Sequence, residues 1–149
     1  MLALQALSDR QYDTSERFVT AARQWPEHLG VGKPYPEDTD ERLEDWIQAA
    51  VLDARGASDD ARAALSRIVA FKGQGSGVGT LIAALALTHL DRGSEATARL
   101  DAPDEAHRPA FTAWARRVLA GERVAPPTEV QSTDESRVFA AYLTRGFRL

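Results

Sequence analysis

The sequence predicts an all-α protein, and three observations agree on it. Its apolar residues, 44% of the chain, are mostly Ala and Leu, with Val, Ile and Thr spread thinly. Ala and Leu lose little side-chain freedom in a helix, so this bias favours helices. Apolar positions recur at spacings of three and four nearly everywhere, while no stretch alternates as a half-buried strand does and no Asn-Gly or Asp-Gly pair marks a hairpin.

Taken in order, a short first helix covers Leu2 to Leu7. A second starts near Asp13 or Thr14, with Phe18, Ala21, Ala22 and Trp25 along one side, and Pro26 ends it. Residues 27–39 read as a loop punctuated by Gly30, Gly32, Pro34 and Pro36. Thr39 or Asp40 is the expected cap of the third helix, and Glu41, Glu44 and Asp45 place negative charge where the helix dipole favours it. Leu43, Trp46, Ile47, Ala50, Val51 and Ala54 form that helix's apolar stripe, and Gly56 closes it.

Ser58 then caps a helix whose apolar face is Ala61, Leu65, Ile68 and Val69. Gly73, Gly75, Gly77 and Gly79 read as a connector, with Ser76 as a cap. The helix carrying Leu81, Ile82, Leu85, Leu87 and Leu90 is the most apolar and is expected at the centre, closed by Gly93. A short helix from Ser94 to Leu100 follows. Pro103 and Asp104 open another with Phe111, Trp114, Ala115, Val118 and Leu119 buried, stopped by Gly121 and Pro126-Pro127. The last helix carries Val138, Phe139, Ala141, Tyr142 and Leu143.

With 149 residues the chain suits one domain, and 27% charged residues are ordinary for a folded, soluble protein. It has no cysteine, which excludes disulfides and thiolate metal sites. No apolar run reaches the roughly 18 residues of a membrane span, and the start lacks the basic-then-apolar pattern of a secretion signal. A cytoplasmic setting is therefore expected for the chain as given. The formal charge of −4 and a pI near 5.4 speak against a nucleic-acid binder. Sixteen of the eighteen cationic residues are Arg, but they alternate with Asp and Glu as on a solvated surface.

A repeat is visible. Gly56 is followed by Ala61-Arg62 and Gly93 by Ala98-Arg99, so that a small residue recurs at one distance past each helix end. Close helix crossings need such residues. The pattern resembles the tetratricopeptide repeat, a pair of antiparallel helices with small residues where they cross. The resemblance rests on Leu2, Ala3, Tyr12, Ser15, Val19 and Ala22 in a first unit, with Pro26 one position early. In a second unit it rests on Ala49, Leu52, Gly56, Ala61, Leu65 and Ile68, and in a third on Leu85, Ala86, Gly93 and Ala98, with His89 where an aromatic is usual. A fourth unit around Ala113, Trp114 and Gly121 departs from the pattern. The resemblance covers about residues 1 to 100, and the unit spacing departs from the regular ~34 of the family.

The resemblance implies helix pairs stacked as a short right-handed superhelix, in a single domain over 1–149 with units near 1–26, 40–72, 77–102 and 104–149; the alternative architecture is an irregular helical bundle. In this register the first helix would begin ahead of Met1, so the sequence reads as a piece of a larger protein. Trp25-Pro26-Glu27, residues 29–33 and Glu41 to Trp46 also resemble the helical-repeat region of large multi-domain bacterial proteins of unknown function.

No catalytic, cofactor or metal site is expected. Residues 73–79 lack the preceding strand and the Lys-Ser/Thr pair of a phosphate loop. His28, His89 and His107 are far apart, and no Gly-x-Ser-x-Gly elbow is present. Gly30 to Lys33 offers amides and one cation to an anion, although a plain connector explains it. The acidic run Glu37, Asp38, Asp40, Glu41, Glu44 and Asp45 reads either as a docking patch for a basic partner or as a solvated helix start. Trp25, Trp46 and Trp114 read as packing.

The expected function is a non-catalytic interaction or scaffolding module that holds a protein or peptide partner, or a neighbouring domain of the same parent chain, against its inner face. Asp45, Gln48, Arg55 and Lys33 are the candidate groove residues. The alternative is an accessory domain that braces or dimerises a catalytic, carbohydrate-related domain lying elsewhere; homo-oligomers are compatible with either.

Overall fold

The computed structural model describes residues 2–24, 39–72, 77–102, 109–128 and 134–144. They form eight helices and, among the described residues, no strand: α1 (Leu2–Ser8), α2 (Tyr12–Ala22), α3 (Arg42–Ala54), α4 (Ser58–Ala70), α5 (Gly77–His89), α6 (Gly93–Asp101), α7 (Pro109–Leu119) and α8 (Asp134–Thr144). The all-α expectation is met.

The helices are organised by one turn used repeatedly. At the end of α3, Gly56 takes φ +77°, its N–H donates to the Asp53 carbonyl, and the Ala57 N–H donates back to Leu52. This double bond to orphan carbonyls is the Schellman closure. The same pair of bonds forms around Arg10 (φ 58°), from Arg10 to Leu7 and from Gln11 to Ala6. It forms again around Asp91 (φ 63°), from Asp91 to Thr88 and from Arg92 to Leu87. Gly121 closes α7 in the same way. Three helix hairpins follow: α1–α2, α3–α4 and α5–α6.

Each hairpin places small residues at equivalent positions around its turn. Ala3, Ala49 and Ala84 are buried on the first helices, and Ser15, Ala61 and Ala96 are buried on the second. In the first hairpin, the Ser15 hydroxyl donates to the Ala3 carbonyl at 2.9 Å, so the two backbones nearly touch there. Val19, Leu65 and Leu100 are buried four residues further along each second helix.

The third unit therefore differs from its sequence reading. Asp91, not Gly93, occupies the left-handed position, and Gly93 instead opens α6. Its crossing residues are Ala84 and Ala96, two places ahead of Ala86 and Ala98, and Ala98 is exposed. An Asp tolerates the left-handed region well enough to fill a place where Gly was expected.

The first helices pack in succession, α1 on α3, α3 on α5 and α5 on α7, while α2, α4 and α6 each also touch the first helix of the following pair. Helix α5 is central, as expected: apart from Thr80, every residue from Gly77 to Leu87 is buried. The helix starts within the glycine run, so Gly77 and Gly79 are helical and buried rather than connector residues. Phe111 of α7 lies against Gly77 at contact distance. Helix α8 does not repeat the hairpin pattern with α7; it packs on α1, and Phe139 meets Trp46 of α3 edge-on at 6.3 Å.

Smaller differences have local causes. Helix α2 buries Ser15 and Val19, while Ala21 and Ala22 are exposed. Its inward face is set by the small-residue crossing at Ser15 instead of by the Ala pair. Likewise Ala54 is exposed, and in α8 Ala140 rather than Ala141 is buried.

Candidate functional site

The expected groove residues of α3 lie in a polar cluster that joins three helices. Asp45 and Gln48 are one turn apart and share a face. Arg23 follows α2, and Arg67 stands in the last turn of α4. Asp45 Oδ1 accepts from Arg23 Nη2 at 2.7 Å, from Arg67 Nη2 at 2.7 Å and from Arg67 Nε at 3.1 Å. Gln48 Oε1 accepts from Arg23 Nη1 at 2.8 Å and from Arg67 Nη2 at 3.1 Å. Glu41 lies 3.1 Å from Arg23 Nε and brings the four formal charges to balance.

Asp45 is buried, and charge-assisted bonds of this length are the stronger kind. The arginines clamp α2 and α4 onto the start of α3. Asp45 and Gln48 are thus brought together, with Asp45 Oδ1 and Gln48 Oε1 taken up by the protein's own arginines. The adjacent cleft, lined by Glu16, Val19, Thr20, Arg23, Gln48, Val51 and Leu52, has about 50 Å³ of free space. That admits a few water molecules and falls far short of a ligand pocket.

Arg55 sits at the other end of α3 and pairs with Glu16 at 3.0 Å and with Asp13, both on α2. Its hydrogen bonds to Glu16 and Asp13 hold the guanidinium above its ordinary pKa. As a solvent-facing pair it adds little to stability. Lys33 lies outside the described residues, as do Trp25, His28, His107, most of the 27–39 loop and Gly73 to Ser76.

Among the described residues, the acidic run turns inward on the protein's own arginines. Asp40 binds Arg42 in a fork, Oδ1 to Nε at 2.8 Å and Oδ2 to Nη2 at 2.7 Å, and also accepts the Arg42 backbone N–H at 3.2 Å. Asp40 therefore does satisfy an orphan amide, although Glu41 holds the cap position and makes no side-chain cap bond. Burial alone would raise the Asp40 carboxyl, but the Arg42 hydrogen bonds and charge hold it below its usual range. Asp40, Glu41 and Asp45 are thus paired with the protein's own arginines, while Glu37 and Asp38 of the run lie outside the described residues.

Arg42 itself was not foreseen. Its guanidinium is buried, lies 4.8 Å from the centre of the Phe71 ring, and rests on the backbone of α5 at Gly79. Two glycines inside the most apolar helix were the available signal, since Gly is unfavourable in a helix interior unless something approaches closely.

A second constellation lies on the layer of first helices. Trp46 is fully buried, with His89 of α5 edge-on at 5.7 Å and Phe139 of α8 at 6.3 Å. Phe139 in turn stacks on Tyr142 at 6.2 Å. Burial pushes the Tyr142 phenol up to about 12, Trp46 opposes that, and Tyr12 adds to it. The Trp46 Nε1–H faces the Tyr142 phenol oxygen, and this hydrogen bond, poor in geometry, is what opposes the rise. Phe139, Tyr142 and Leu143 read from the sequence as core, but nothing in the sequence says that they cover Trp46.

Among the described residues no three His, Cys, Asp or Glu side chains gather as metal ligands, and no helix is long and apolar enough to cross a membrane. No family model, curated protein or solved structure matches this chain.

Proposed function

We propose that the chain is a non-catalytic protein-interaction module, a short array of TPR-like helix pairs whose layer of first helices takes a helical peptide or a neighbouring domain. The observation that carries this reading is α8. An amphipathic helix that is no part of the three hairpins lies on α1 and Trp46, so this face accommodates a helix laid across it. Apolar anchors spaced three and four apart are how a helix binds such a face.

The polar residues serve a complementary part. Asp45, Gln48 and Arg55 fix α2, α3 and α4 relative to one another, so the face is presented on a rigid scaffold. The bracing alternative calls for a broad exposed apolar surface. Among the described residues Leu2 is the one large hydrophobic left exposed, and a single leucine is not a patch.

The test is selection of a displayed random-peptide library on the immobilised full chain. Enriched peptides with α-helical anchors and micromolar affinity, whose hydrogen-exchange footprint falls on any helix face of the array, are the expected result. Absence of any peptide binding by 100 μM would overturn the reading, in line with affinities of ordinary peptide-recognition domains.

A further inference from the structure

We draw no further inference here: the strongest candidate, the cleft between α2 and α3 lined by Val19, Arg23, Gln48 and Val51, belongs to the site already described, and its free space of about 50 Å³ holds a few water molecules but no ligand.

Discussion

The guanidinium of Arg42 occupies the space that a side chain at position 79 would need: a Cβ built on Gly79 lies 2.1 Å from Nη2 and 2.4 Å from Cζ. An arginine terminus can often swing aside. This one is forked to Asp40 and lies over Phe71, so moving it breaks contacts at both ends. Gly79→Ala is therefore expected to destabilise the chain by about 1–3 kcal/mol through overpacking. At an ordinary helix position the same change stabilises by roughly 1 kcal/mol. Urea denaturation of the single variant and of the double variant with Arg42→Ala checks it: the penalty of Gly79→Ala should vanish once Arg42 is gone.

The hairpin turns give a second prediction of mixed sign. Gly56 has open space around it but φ +77°, so Gly56→Ala is expected to cost about 1 kcal/mol through backbone strain alone. Arg10 and Asp91 carry side chains at the same left-handed position. Arg10→Gly and Asp91→Gly should each stabilise by about 0.5–1 kcal/mol, since the relief of strain exceeds the entropy that glycine adds to the unfolded chain. Thermal unfolding of the three variants gives the ordering directly.

These turns also mark how far the sequence could be read. Gly56 was legible because glycine announces a left-handed residue, and Ala61 beyond it then gave the crossing point. Arg10 and Asp91 announce nothing. A sequence alignment of the third unit therefore falls on Gly93, with Ala86 and Ala98 as its small residues, while Ala84 and Ala96 stand where Ala49 and Ala61 do in the second unit and Ala98 is exposed. The helices and the central position of α5 followed from local periodicity, which each stretch carries within itself. The site did not. Asp45 and Gln48 were singled out on α3, but Arg23 and Arg67 come from two other helices, and their convergence depends on packing that no local pattern encodes. The docking of α8 on α1 joins the two ends of the chain and was invisible for the same reason.

The clamp around Asp45 and the pair around Arg55 should respond differently to mutation. Asp45→Ala removes the acceptor shared by two arginines. Their side chains are 26% and 52% exposed and can turn toward water, so the cost should be about 2 kcal/mol, below the ~3–5 kcal/mol of a charge stranded in a sealed interior. Arg55→Ala, by contrast, removes a solvent-facing pair and should cost much less, nearly all of it lost in 1 M salt. Denaturant midpoints of the two variants at low and high salt distinguish them.

The alkaline limit of stability is expected to be set in part by Tyr142. Its folded pKa is raised to about 12 from the ordinary 10.0, because the buried phenol resists ionisation. The unfolded chain therefore releases this proton first. The contribution is fully present below pH 10 and is lost as pH rises through about 12, amounting to roughly 2–3 kcal/mol at about 1.4 kcal/mol per unit. If α8 leaves its seat without the rest unfolding, the loss appears as exposure of Trp46 at constant helicity. Titration at 295 nm should show one tyrosine ionising well after the others, and Tyr142→Phe should remove that late step. The same variant should flatten the fall in stability between pH 10 and 12 while leaving stability at pH 7 almost unchanged. An unaltered alkaline profile in Tyr142→Phe would mean that the phenol is already open to water, and that α8 does not seal it.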